Sequence, residues 1–440
     1  MKRKLIAIFM TIAMLTTMVP AAFAADESDP IIADYSWYEG VSGSSYTISD
    51  VADLVGLANI VNGNYSTEDN FQGDTITLAG DIDCQGAVLE PIGNWDHPFK
   101  GIFDGDQNTI SNASINGDNN TIRAGLFGMI QGNKTSSSGT ASYGIVKNIT
   151  FDSVILNNTS TTSNGDAYEA ASGIAVATMK SAMVSNITVN NNCSVHGVYR
   201  TGGIVGDSRE YNDITGCTNN APVYGTSNYT GGILGAAHDI LSWLATTTTT
   251  IKQCTNNALV EGTNEVGGIV GYSDRAKIDS CNNAGTVSGT GNYGTGGILG
   301  CDIYNYKISI FKPSCGSTIL NCGNTGDISA PRAGGILGSF VVAPSKNQPS
   351  STIYSTITGC TSSGAISCMN NNGICGAVYG APITYKSGDA GTYVDKMIVK
   401  IENCKVGGSV NGVDVPSDES ALNTFISPSP YVSLSGNTKL

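Results

Sequence analysis

A chain of 440 residues carries 22 basic and 36 acidic side chains, a formal charge of −14, and so repels nucleic acid, anionic lipid and anionic wall polymers. Only 13% of its residues are charged and 55 are glycine, but a hydrophobic content of 40% excludes a disordered polar chain.

Residues 1–24 read as a signal peptide, because Lys2, Arg3 and Lys4 precede an apolar run from Leu5 to Val19 and the small-residue stretch PAAFA ends at Ala24. The run is shorter than the ~20 residues a bilayer core requires, which argues for cleavage rather than spanning. Cleavage removes three basic residues and leaves 19 against 36 acidic, or −17. No later run is apolar for long enough to span a membrane, so no membrane insertion is expected after cleavage. Residues 25–48 read as an extended lead-in. Behind the cap candidates Ser49 and Asp50, Val51, Leu54, Val55, Ala58 and Val61 recur at helical spacing, which predicts a capping helix over 49–63.

From residue 74 to 411 the chain repeats itself. TITLAGDID from Thr75, FKGIFDGDQNTISNASI from Phe99, AGLFGMI from Ala124 and IVKNITFDSVIL from Ile145 read as early turns of one coil. Cysteines then recur at Cys193, Cys217, Cys254, Cys281, Cys322, Cys360 and Cys404. All but Cys193 have Ile three residues before, from Ile214 to Ile401, and Val or Ile six residues after, from Val223 to Val410. Cys193, with Asn190 before it and Val198 one place early, fits the frame poorly. A Gly-Gly-aliphatic-aliphatic-Gly phrase follows in GGIVG from Gly202, GGILG from Gly231, GGIVG from Gly267 and GGILG from Gly296 and Gly334, decaying to NGICG at Asn372.

Each unit thus holds three short β-favouring pieces separated by turn residues. Such pieces are too short to bury themselves alone, whereas stacking unit on unit pairs every backbone group and aligns like residues. The fold class expected is all-β, a right-handed parallel β-helix of three strands per turn with a short N-terminal capping helix. Ile and Cys three apart cannot both face inward from a flat strand, so a bulge or corner is expected between them. The Asn pairs after Cys are expected to take left-handed turn conformations. Residues 412–440, containing Pro and Ser, read as a C-terminal tail or loose cap.

GLFG at Gly125–Gly128, with PIGNWDHPFKGIFDGDQNTISNASI leading into it from Pro91, resembles the GLUG-motif repeat proteins of exported bacterial surfaces, and the resemblance spans roughly residues 46 to 411. It implies exposure outside the cell, in adhesins or in accessory regions of secreted metallopeptidases. The three histidines, His97, His196 and His238, supply no His-Glu-x-x-His zinc site, so neither a metal site nor a cofactor is expected.

The seven aligned cysteines read as a structural ladder of small buried hydrophobes, their parallel Cβ vectors being poorly matched to disulfide geometry. Cys301 and Cys315, outside the ladder, could close a loop as a disulfide. The acidic pairs Asp81 with Asp83 and Asp104 with Asp106 sit beside Gly and read as turn residues rather than catalytic acids. Insertion length varies at one corner, from 206–214 to 376–401, and these loops hold Trp243, Tyr304, Tyr306, Phe311, Tyr354, Tyr379, Tyr385 and Tyr393. Exposed aromatics of this kind suit sugar or protein contact. The bland alternative is that they fold back over the coil.

The expected function is that of an exported, non-catalytic, adhesin-like binding module. As a monomer, it would present a loop-built surface to a glycan or an extracellular protein. The rivals are a carbohydrate-active enzyme (polysaccharide lyase or glycoside hydrolase) on the same coil, and a structural envelope spacer.

Overall fold

A computed structural model describes residues 31–162, 170–238, 249–304, 315–342, 352–369, 373–382 and 397–440. Residues 31–440 form one compact unit, a parallel β-helix. One turn runs, for example, through Asp213–Thr215, Thr218–Asn219, Val223–Gly225, Asn228–Gly231 and Leu234–His238. Each of these pairs in parallel with its counterpart one turn on. The Gly-Gly phrase lies between the last two strands of a turn.

Like residues stack on like. Ile214, Ile251, Ile278, Ile319, Ile357 and Ile401 are register partners in sequence, all fully buried. A second column runs Leu156, Val195, Val223, Val260, Val287, Ile328, Ile366 and Val410. Full burial of each such side chain contributes about 1.5–3 kcal/mol as an upper estimate.

The expected bulge lies immediately before each cysteine. Gly216, Gln253, Ser280, Asn321, Gly359 and Asn403 have φ between 52 and 67°, and this left-handed residue lets Ile and Cys both face inward. Cys217, Cys254, Cys281, Cys322, Cys360 and Cys404 are buried free thiols, and the backbone N–H of Cys254 donates to the Sγ of Cys281 at 3.4 Å, repeated between Cys281 and Cys322 and between Cys322 and Cys360. Cys193 is not part of this stack. Thr188 pairs with Thr218, which places Ile187 opposite Cys217, and Cys193 packs separately, its Sγ accepting from Val154 N at 3.3 Å. Burial pushes the Cys193 thiol up to about 11.

The expectation of left-handed Asn pairs is overturned. The Asn two residues after Cys, at Asn219, Asn256, Asn283 and Asn324, points into the coil and is buried. The Nδ2 of the first three donates to the next Oδ1 at 2.9, 2.8 and 2.8 Å, and all four donate to the carbonyl two residues on. This amide ladder explains the Gly-Gly phrase. A Cβ on Gly268 would stand 2.2 Å from Gly297 O and 2.4 Å from Asn283 Cγ, so the second glycine leaves space for the amide and for the neighbouring turn.

Helix α1, Val51–Val61, is capped by Asp50, whose side chain accepts from Asp53 N at 3.1 Å. The coil begins ahead of it, because Ser45–Ile48 already pairs with Thr75–Leu78. The open end is filled by Leu54, Leu57, Ile60 and Val61 with an aromatic group of Trp37, Tyr46 and Phe71. At the other end, residues 412–440 are a further turn rather than a loose tail. Val432–Ser435 pairs with Val399–Glu402 and Thr438–Lys439 with Lys405–Val406. Helix α2, Glu419–Ile426, ends with the carbonyls of Phe425 and Ile426 accepting from Ala377 N and Val378 N. A coil end exposes pairing edges that something must cover, and Leu422 and Ile426 give this helix its buried face.

Candidate functional site

Of the loop aromatics, only Tyr354 and Tyr379 have described side chains. Trp243, Tyr306, Phe311, Tyr385 and Tyr393 lie outside the described residues, as does the side chain of Tyr304, whose backbone pairs with Val342. Tyr354 is in a strand rather than a loop, half-buried, with Lys400 Nζ 4.0 Å from its ring centroid. Tyr379 is 1% exposed and bridged to Leu337, so it is core and presents no surface. The causes differ: the strand ahead of Cys360 starts early enough to include Tyr354, whereas Tyr379 takes the register position of Leu337, an inward aliphatic of the Gly-Gly phrase.

Cys301 is a buried free thiol, a rung residue between Tyr272 and Ser339, not half of a loop disulfide with Cys315, whose side chain lies outside the described residues. Among the described residues a disulfide joins Cys368 and Cys375, Cα atoms 6.1 Å apart, ahead of Gly376, whose pairing with Gly334 shows that the sixth copy is GAVYG at 376–380 rather than NGICG from Asn372. The acidic pairs are turn residues. Asp83 Oδ1 accepts from Gln85 N and Asn112 Nδ2, Asp81 Oδ1 from Thr109 N, and Asp104 from Asp106 N and Asn148 Nδ2 while pairing with Lys147.

Charge and aromatic groups gather instead at the Gly-Gly corner. Thr201 pairs with Thr230 and Thr230 with Val266, so the preceding residues Arg200, Tyr229 and Glu265 stack. All three are left-handed, at φ 46, 69 and 49°. That conformation costs about 1–2 kcal/mol for a residue with a Cβ, and such outliers collect where a side chain must be aimed. On the far side of the corner, Asp207, Ala236, Tyr272, Cys301 and Ser339 form one column, and Arg209 pairs with His238 in the next.

The two sides meet at Asp207, which is wholly buried. Its Oδ2 accepts from Arg200 Nη1 at 3.1 Å and Arg209 Nε at 2.5 Å, and its Oδ1 faces His238 Nδ1 at 2.8 Å. Burial opposes ionisation of Asp207, but Arg200, Arg209 and His238 outweigh it and hold the carboxyl well below the usual range. Burial, followed by repulsion from Arg200, holds His238 below its ordinary value. The ring is therefore neutral at pH 7, with Nδ1–H donating to Asp207. Tyr272 stacks on His238 with centroids 4.8 Å apart, and Tyr229 lies 4.5 Å from Tyr272. Next along the column, burial pushes the Glu265 carboxyl up to about 8, so it is mostly protonated at neutral pH. At the other end, the guanidiniums of Arg123 and Arg209 stand 5.1 and 5.2 Å from the Trp95 ring centroid.

A strip therefore runs from Trp95 through Arg123, Arg209, Asp207, Arg200 and His238 to Tyr229, Tyr272 and Glu265. Three guanidiniums, of Arg123, Arg200 and Arg209, gather here around the buried carboxylate of Asp207, with exposed Asp96 beyond Arg123. A search for acidic residues close in sequence misses it, since its members are spread from Trp95 to Tyr272. The available signal was the charge flanking one repeat, in RTGGIVGDSR from Arg200, where Arg200, Asp207 and Arg209 are all charged and none of the other GGIVG or GGILG copies has more than two charged residues at the matching positions. Among the described residues no three His, Cys, Asp or Glu side chains group to hold a metal ion, and no helix is long and apolar enough to cross a membrane.

No family model matches the chain. Halomucin of Haloquadratum walsbyi is 29% identical over 232 residues, covering 44% of this chain and 2% of halomucin, so the chain spans a small fraction of that relative's length. Among solved structures, a candidate immunoglobulin A1 protease from Bacteroides ovatus aligns over 77% of this chain and 84% of its own, at 17% identity and a TM-score of 0.45.

Proposed function

We propose that this is a secreted or cell-surface protein of the GLUG-like kind whose β-helix serves as a non-catalytic binding module for a glycan. The leader-like N-terminus and the likeness to halomucin support the location. The observation that carries the binding role is the strip at the Gly-Gly corner, where three consecutive turns hold Arg200, Tyr229 and Glu265 in left-handed conformations beside His238 and Tyr272. Half-buried Trp95 and Tyr229, with His238 14% exposed, form its rim, and flat rings beside fixed polar groups suit the alternating apolar and hydroxyl faces of a sugar. This reading moves the site from the insertion loops to the corner.

A glycan array probed with the mature chain tests it. At least one glycan class should bind, Tyr229→Ala should weaken that binding about tenfold, and Tyr354→Ala should leave it unchanged. A blank array, or equal binding by the wild type and Tyr229→Ala, removes the proposal. The second reading, a carbohydrate-active enzyme, draws on the neutral His238 held by Asp207 beside two tyrosine rings. New reducing ends appearing in the bound glycan would favour it over simple binding.

A further inference from the structure

We infer that the Arg123–Arg209 end of the strip, beneath Trp95, binds the anionic group of an acidic glycan, a carboxylate or sulfate carried on a sugar ring; this rests on the binding role proposed above. Three observations meet here. Arg209 spends Nε on Asp207, while its Nη1 and Nη2, in a side chain 1% exposed, have no hydrogen-bond partner among the described residues. Other basic side chains nearby are matched to carboxylates: Lys134 to Asp213 at 2.5 Å, Lys147 to Asp104 at 2.9 Å and Lys180 to Glu210 at 3.1 Å. A desolvated guanidinium edge without an acceptor is costly, and its planar fork fits the two oxygens of a carboxylate or sulfate.

The second observation is charge. The gathering of three guanidiniums at this corner stands out in a chain of −14, whose net charge repels anions. Diffuse ion exchange thus does not account for capture of an acidic polymer, and a local site is needed. The third is access. Trp95 sits in the short excursion between the bridges Ile92 to Phe127 and Phe99 to Ile130, with Asn94 and Asp96 exposed on either side and its own ring half-exposed. The ring is the cover over Arg209, so the anionic group reaches the Nη atoms as the indole shifts from covering the guanidinium to packing on the sugar.

Titration calorimetry on the full mature chain, with oligogalacturonate, a sulfated chondroitin oligosaccharide and a neutral xylo-oligosaccharide as probes, tests this. One or both acidic probes should bind in preference to the neutral one, and which of them does so identifies carboxylate or sulfate as the group. Arg209→Gln should weaken acidic binding about 10- to 100-fold, and Arg209→Lys should fall between. Trp95→Ala guards against a misfolded Arg209 variant, since its ring is partly exposed: it should melt near the wild type yet bind the acidic probe about tenfold more weakly. If the neutral probe binds as tightly as the acidic ones, or Trp95→Ala and a folded Arg209→Gln bind acidic probe like the wild type, the inference fails while the binding role stands. If no probe binds and the array is blank, both fail.

Discussion

Replacing Asn256 by leucine should destabilise the coil by about 3–6 kcal/mol, more than loss of an aliphatic core contact of similar size. The substitution strands three polar groups: Asn219 Nδ2, Asn283 Oδ1 and Ala258 O, each bonded to Asn256 at 2.8–2.9 Å. An unsatisfied buried donor or acceptor costs about 1–3 kcal/mol, and polar groups in a chain reinforce one another. Because a solenoid is held by nearest-neighbour interfaces, the break should also divide the unfolding transition. The control is Asn257→Ala. That side chain is exposed and bonds Asn220 Oδ1 at 2.8 Å, and its loss should cost less than about 0.5 kcal/mol. Urea denaturation followed by far-ultraviolet circular dichroism reads both; a midpoint for Asn256→Leu close to the control's would remove the ladder from the account of stability.

The second large effect is expected at Asp207. Changing it to Asn leaves Arg200 and Arg209, both buried, facing a neutral amide, and breaking a buried pair from one side costs about 3–5 kcal/mol. The sign with pH follows from the direction of the shift. Asp207 ionises more readily folded than unfolded, so its stabilisation is present above the unfolded value, ~3.9, and is lost as pH falls through the folded one. The melting temperature of the wild type should therefore drop on acidification below about pH 4, and Asp207→Asn should show a lower plateau at neutral pH with a shallower drop. Parallel profiles for the two proteins would mean that Asp207 is not held by its arginines.

The coil was legible because its dominant signal is repetition. Ile214 through Ile401 and the aligned cysteines recur at fixed spacing, and a repeat too short to bury itself must stack. The need for a bulge was also legible, since alternation forbids Ile and Cys three apart from sharing a face. What the bulge costs and where it falls was not: the left-handed residue precedes Cys, and Asn219 and its successors turn inward. Asn suits a turn and a buried amide ladder equally well on local grounds, and only the glycine opposite it, such as Gly268, decides between them. Cys193 shows the limit of alignment by residue type, because Ile187 fills the ladder position and is as apolar as a thiol. The C-terminal turn was hidden by its Pro and Ser content, although Leu422 and Ile426 stand at helical spacing.

The site was far less legible. Aromatics in long insertions drew attention because loops so often carry function. Tyr354 instead belongs to a strand, and Tyr379 to the buried core beside Leu337. The strip at the Gly-Gly corner depends on register: Arg209 meets His238, and Asp207 lies two turns from Tyr272, only once the copies are stacked. Read singly, each is one charged or aromatic residue after a glycine.

Hydrogen exchange on the full chain, with and without the tightest acidic oligosaccharide, tests most directly whether the Gly-Gly corner is the ligand site. The account expects added protection in 93–99, 199–209 and 228–238. Protection confined to the Ile-x-x-Cys strands, or to the insertion sequences at 239–248 and 305–314, would contradict it.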